Sequence, residues 1–267
     1  MTETTGYTFN FSQRNLAVVG KKLREDRKEK TSIYCGDCLE VMTSLPANSV
    51  DMVLCDLPYG TTNCRWDTPI DLDRLWAQYD RICSGPVILF AQTPFDKVLG
   101  CSNLKDLRYE WIWEKTNPTG HLNAKKSPMK AHENILVFYK KQPHYAPQIT
   151  NGHTRKAATR KKVDNCEIYG KQNFHAPYDS TSRYPRSVIV FPSDKQKQNL
   201  HPTQKPIALC EYLIKTYSTA GQTIMDNCMG SGTTGVAAKR LQRKFVGIEL
   251  EPKYLEIAKQ RIEETYV

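Results

Sequence analysis

Two stretches of the chain combine residue types that can do chemistry. The first, TIMDNCMGSGTTGVAAKRL from Thr223, sets Gly230, Gly232 and Gly235 in the spacing G-x-G-x-x-G. Placed between a strand and a helix, such a loop turns backbone N–H groups toward a ligand at the positive end of the helix. Asp226 opens the loop, and Glu249 lies 19 residues beyond Gly230 at the end of the next strand, where an acid can accept from ribose hydroxyls. No Lys-Ser or Lys-Thr pair follows the glycines, which excludes a P-loop. A nicotinamide dinucleotide fits the same spacing, and an ordinary tight turn is the plainer alternative.

The second stretch is Asp56-Leu57-Pro58-Tyr59, directly after the apolar run of SVDMVLC. Open parallel sheets keep their active-site residues at this end of a strand. Asp56 and the Leu57 carbonyl offer two acceptors, Pro58 stiffens the turn, and Tyr59 gives a flat face. An exocyclic amino nitrogen is a poor nucleophile because its lone pair is delocalised into the ring. Acceptors against both of its hydrogens favour the attacking geometry, and the flat face suits a base turned out of a duplex. Alone, the tetrapeptide also reads as a Pro-Tyr-Gly turn closing a strand.

The elements that must position these loops follow an α/β rhythm. SIYCGD predicts a strand, CLEVMTSLP a short helix, DLDRLWAQYDRIC an amphipathic helix, and GPVILFAQ a fully buried strand. YEWIWEK and NILVFYK predict two strands with a polar loop between them. After residues 141–186, which keep no period, SVIVFP, PIALCEYLIKTYS, QTIMDN, TGVAAKRLQR, FVGIEL and YLEIAKQRI resume the alternation. Only 18 residues follow Glu249, so the remaining strands of the sheet must come from upstream of the glycine loop. That order predicts a circularly permuted nucleotide-binding sheet, and it counts against a dinucleotide oxidoreductase, whose further β-α units follow the loop.

The 267 residues are 39% hydrophobic and 25% charged, ordinary for a soluble globular protein. The predicted organisation is a polar arm at 1–30, a catalytic half at 31–140, an insertion at 141–186 and a ligand-binding half at 187–267. The start MTETTGYTFNFSQ lacks the basic-then-apolar pattern of a secretory leader, no run approaches membrane-spanning length, and the expectation is a cytoplasmic chain with reduced thiols. The net charge of +10 is concentrated. From Lys115 to Lys162, eleven Lys and Arg face one acid, Glu133. This reads as a footprint for phosphates, with Lys125, Lys126, Arg155, Lys156, Arg160, Lys161 and Lys162 as candidate contacts, or else as a solvated face.

Taken together, Gly36-Asp37, DLPYG from Asp56, HPTQKP from His201 and DNCMGSGTT from Asp226, in that order, resemble the β-class amino methyltransferases of DNA over most of residues 31–262. The resemblance implies a Rossmann-like, circularly permuted α/β fold with a mostly parallel sheet, helices on both faces and a target-recognition insertion. It further implies S-adenosylmethionine as cofactor, duplex DNA with a flipped base as substrate, and homodimers as common in the family. Asp56, Leu57, Pro58 and Tyr59 would hold the base, Asp37 the cofactor adenine, and Glu249 the ribose. Asp226, Gly230, Ser231, Gly232 and Thr233 would cradle the methionine part, with His201, Thr203 and Lys205 closing over its carboxylate. Leu57 stands where proline is usual, and Cys228 where an aromatic residue is common. Asp at position 56 resembles the adenine-N6 members more than the cytosine-N4 members, which usually carry Ser.

Competing readings are a methyltransferase of single-stranded RNA or DNA, the dinucleotide oxidoreductase, and a DNA-binding module without catalysis. The last two are disfavoured by the intact Asp56–Tyr59 loop. Cys35 and Cys38 form C-x-x-C, but no second pair stands at metal-ligand spacing, so no metal is expected. His132-Glu133 lacks the companions of a zinc deaminase. Trp111 and Trp113 alternate on one strand face and read as core.

Overall fold

In the computed structural model, residues 31–60, 67–158, 178–193 and 204–266 are described. The arm at 1–30 and the candidate residues Arg160, Lys161, Lys162, His201 and Thr203 lie outside them. In chain order the elements are β1 (Thr31–Cys35), α1 (Cys38–Thr43), β2 (Met52–Asp56), α2 (Leu72–Ile82), β3 (Val87–Ala91), α3 (Phe95–Ser102), β4 (Leu107–Thr119) and β5 (Lys130–Phe138). They continue as β6 (Lys156–Ala158), β7 (Tyr178–Ser180), β8 (Val188–Phe191), α4 (Ile207–Tyr217), β9 (Thr223–Asp226), α5 (Thr233–Arg240), β10 (Lys244–Glu249) and α6 (Pro252–Glu263).

Local chemistry explains the starts of α1, α2 and α6. The Asp37 carboxylate accepts from the Leu39 and Glu40 amides and caps α1, Asp71 does the same for α2 through the Arg74 amide, and Pro252 occupies the first turn of α6. Along α2 the spacing of Leu75, Trp76, Tyr79 and Ile82 buries one face. Helix α3 has no expectation in the sequence: it starts at Pro94 without a side-chain cap and contains Gly100. Burial of Phe95 and Leu99 supports it instead.

Eight strands form one sheet in the order β1-β10-β9-β2-β3-β5-β4-β8. All neighbours are parallel except β3–β5 and β5–β4, so β5 alone runs against the rest. The late strands β9 and β10 sit between β1 and β2, which is the permuted order expected from the position of the glycine loop. Helices cover both faces. The side chains of α4, α5 and α6 pack with Met52, Leu54, Ile88 and Ile224 on one side. Those of α1, α2 and α3 pack with Val53, Cys55, Leu89 and Met225 on the other. Within residues 141–186, the described part forms a separate two-stranded sheet of β6 and β7, antiparallel. Among the described residues, no helix is long and apolar enough to cross a membrane.

Candidate active site

The carboxyl ends of β1, β10, β9 and β2 open into one cavity of about 620 Å³. This is the edge at which a parallel sheet leaves room for a ligand, because each strand turns away into its helix there. Asp37, Glu249, Asp226 with the glycine loop, and Asp56 through Tyr59 all line it, together with Lys205. The two loops singled out in the sequence therefore face a single space.

On the glycine-loop side, backbone amides hold the Glu249 carboxylate. The Gly230 amide donates to Glu249 Oε2 at 2.8 Å, and the Glu251 amide to Oε1 at 2.9 Å. Gly232 has φ +77°, and a Cβ there would stand 2.8 Å from the Ala258 Cβ of α6. At Gly235 a Cβ would meet the Phe245 ring of β10 at 2.7 Å, so this glycine lets α5 lie close on the sheet. Arg261 donates to both the carbonyl and the hydroxyl of Ser231. Burial pushes the Asp226 carboxyl up to about 7, against hydrogen bonds from Thr234, Cys55 and the Cys228 amide. A buried carboxylate held at that value gains from a cationic ligand. The Asp37 Oδ1, expected to meet a ligand, accepts two amides of α1 at 2.9 and 3.1 Å.

On the Asp56 side, the turn is tied down by Asp67, whose Oδ1 accepts from the Tyr59 amide at 2.7 Å and the Gly60 amide at 2.9 Å. The Tyr59 ring stacks on Phe95, with centroids 5.2 Å apart. Its hydroxyl donates to Asp56 Oδ1 at 2.7 Å. Lys205, expected over the carboxylate of a bound cofactor, lines the cavity with its Nζ 2.6 Å from Asp56 Oδ2 and 3.1 Å from Glu133 Oε2. Two carboxylates in a buried space offset the cost of burying the ammonium.

Glu133 and Lys115 are site residues that the sequence reading missed. Their side chains pair at 2.6 Å, are 11% and 7% exposed, and line the same cavity. The result is a chain of alternating charge, Asp56, Lys205, Glu133, Lys115. Burial opposes the charge on Glu133, but Lys205 and Lys115 outweigh it and bring its carboxyl down to about 2. Burial likewise opposes the Lys205 charge, and Asp56 and Glu133 hold its pKa above the ordinary lysine value. At Asp56 burial prevails over Lys205 and Tyr59 and raises the carboxyl. Two signals in the sequence marked these residues: Glu133 is the sole acid of the basic stretch, and Lys115 keeps phase with Trp111 and Trp113 on the inward face of β4. Both tryptophans are buried as expected, and Trp113 also walls the cavity.

The candidate phosphate contacts lie elsewhere. Lys125 and Lys126 are exposed in the loop between β4 and β5, and Lys156 is exposed on β6. Arg155 is engaged by Asp179 through two hydrogen bonds of 2.8 and 2.5 Å, so its charge is partly spent within the chain.

A family model described as DNA methylase matches residues 94–260. The DNA adenine methyltransferase YhdJ of Escherichia coli (strain K12) is 26% identical over 251 residues, covering 88% of this chain and 83% of that protein. Among solved structures, the cytosine-N4-specific PvuII DNA methyltransferase superposes with a TM-score of 0.59 at 14% identity, covering 89% of this chain and 88% of that one. The M1.HpyAVI–SAM complex gives 0.58 at 23% identity, covering 87% and 98%. These two structural likenesses speak for the fold.

Proposed function

This chain belongs to the DNA methylase family and is a DNA methyltransferase, and from that premise we propose that it methylates the N6 amino group of adenine in duplex DNA. The observation that carries the reading is the shared cavity: the Asp56–Tyr59 turn faces the loop from Asp226 across it. When bound, S-adenosylmethionine supplies an electrophilic methyl group on a sulfonium. Asp226, raised to about 7 by burial, suits a cation, the Glu249 carboxylate suits a diol, and the loop from Gly230 to Thr233 suits the charged methionine end. Asp37 would take the adenine. His201 and Thr203 belong to the same proposal through the HPTQKP motif.

The reacting base would leave the stack and lie against Tyr59, whose own stacking on Phe95 fixes the angle of its ring. Asp56 and the Leu57 carbonyl would accept from the two amino hydrogens. The nitrogen must shed one proton as it gains its new bond, and Asp56 is placed to take it. Its raised pKa makes it a better acceptor than an exposed carboxylate. Lys205 and Glu133 hold Asp56 in position during this transfer. Aspartate at position 56 supports adenine over cytosine, and the YhdJ relative is named for adenine. The described part of residues 141–186, with Lys156 and Arg155, is proposed as the recognition insertion, and Lys125 and Lys126 as phosphate contacts.

The test is incubation of unmethylated duplex DNA with the protein and isotope-labelled S-adenosylmethionine, then digestion to nucleosides and mass spectrometry. Label in N6-methyladenine is expected. Label in N4-methylcytosine would overturn the base, and label only on single strands or RNA would overturn the duplex.

A further inference from the structure

The β4–β5 hairpin carries its inward face from the core, through the cavity, and out beyond it. Trp111 and Trp113 are buried, Lys115 joins the charged chain, and Asn117 and Thr119 line the cavity. Between Glu114 and Thr119 the pairing of β4 with β5 shifts register, and beyond this bulge the strand runs into the turn at Gly120. At its end, Leu122 is 89% exposed. An aliphatic side chain so fully in water has no packing role in the chain itself.

The tip is built to hold that side chain in place. Gly120 adopts φ +89°, and residues His121–Asn123 form a 3-10 turn. The Asn123, Ala124, Lys126 and Ser127 amides all donate to carbonyls within residues 120–123. At the base of the loop, the Lys130 ammonium donates to Gln92 Oε1 at 3.0 Å, which ties the hairpin to the cavity rim, because Gln92 lines it. Charge on the loop has one sign: Lys125, Lys126 and Lys130 follow Leu122 within eight residues, and no acid lies between Lys115 and Glu133. An exposed apolar side chain on a hydrogen-bonded turn, in a loop whose charges are all positive, matches a duplex, whose phosphates bind the cations while a wedge enters between bases.

We propose that Leu122 is a wedge that enters the base stack beside the target, filling or propping the gap as the base moves into the cavity, with Lys125 and Lys126 on the flanking phosphates. The proposal rests on the DNA methyltransferase reading and adds the element that opens the duplex. It moves the point of entry from the 141–186 insertion to the hairpin at the cavity mouth.

The test uses the full chain and its Leu122→Ala variant, in which an exposed side chain is shortened without loss of core. Permanganate oxidation of unstacked thymines is mapped along a plasmid with each protein, and labelled methyl incorporation is compared on duplex and heat-denatured samples of the same DNA. The expected result is thymine reactivity with the unmodified protein that falls about fivefold or more in the variant, and a methylation loss at least about fivefold larger on duplex than on denatured DNA. Equal thymine reactivity, or equal losses on both forms of DNA, would overturn the wedge. Permanganate reads duplex opening without methyl transfer, so the wedge is judged separately from the choice of methylated base. As a second variant, Lys125→Ala with Lys126→Ala is expected to reduce the logarithmic salt slope of duplex binding by roughly 2, and an unchanged slope removes these lysines from the phosphate contacts.

Discussion

The Nζ of Lys205 lies 2.6 Å from the Oδ2 of Asp56, although 149 residues separate the two along the chain. The contact joins the turn that receives the base to the segment leading into α4. It leaves both Asp56 oxygens engaged, one by Lys205 and one by the Tyr59 hydroxyl. An arriving amino group thus finds the carboxylate already oriented.

Asp56→Ala removes the acceptor and the proton sink together. Transfer is expected to fall by roughly 10³-fold or more, as when a preorganised group at a reacting centre is lost. Cofactor affinity, measured by calorimetric titration, should be retained, because the glycine loop draws its order from Glu249, Arg261 and α6. An active Asp56→Ala protein would remove this residue from the chemistry.

Glu133→Gln breaks both of its ion pairs and leaves Lys115 in a buried space without a counter-charge. The expected loss of stability at neutral pH is about 3–5 kcal/mol. The pH dependence has a defined sign. The folded carboxyl, at about 2, lies below its ordinary value of 4.5, so the contribution is complete above 4.5 and is lost as pH falls through about 2. Urea titrations at neutral pH and at successively lower pH should show the gap between the proteins closing in that window, and a constant gap would show that the charge of Glu133 is not what stabilises.

Asp226 titrates near 7, so below that pH a cationic ligand must first displace a proton. Cofactor affinity should therefore rise with pH by up to about tenfold per unit below 7 and level off above it. In Asp226→Asn the affinity should be weaker and the slope absent. A slope equal to that of the unmodified protein would place the titrating group elsewhere.

Gly232→Ala would force an L side chain into φ +77° and drive its Cβ to 2.8 Å from the Ala258 Cβ and 3.0 Å from the Ala258 Cα. Gly120→Ala shares the positive φ, at +89°, but its Cβ meets nothing within 4 Å. The first should cost more than the strain of about 1–3 kcal/mol common to both, because α6 must also shift. Thermal unfolding of the two variants separates strain from collision, and equal shifts would mean that α6 yields freely.

What the sequence made legible was contiguous. The Asp56–Tyr59 turn and the glycine loop are runs of neighbouring residues, and their places at the ends of β2 and β9 follow from apolar runs that only a buried strand satisfies. The permuted order is visible in the sheet, where β9 and β10 lie between β1 and β2. What stayed hidden depends on cross-strand register. Trp113 pairs with Glu133 across β4 and β5, and this register brings the Glu133 carboxylate beside Lys115, while the approach of α4 supplies Lys205. No spacing along the chain encodes that meeting. Helix α3 was hidden because its support is tertiary: a proline start and an internal glycine give no helical signal, and Phe95 and Leu99 hold it by burial.

The position of β10 between β1 and β9 also governs when the fold can close. Thr31 pairs with Phe245 and Cys35 with Glu249, so the first strand of the sheet waits for the last. During synthesis, β2 and β3 can associate early, while the edge that will receive β9 remains unpaired until residues 223–226 have emerged. Contacts of such long range slow folding, and an open apolar strand edge invites aggregation in the interval. The walls of the cavity come from both sides of this insertion, so its full lining depends on β9 and β10 taking their places.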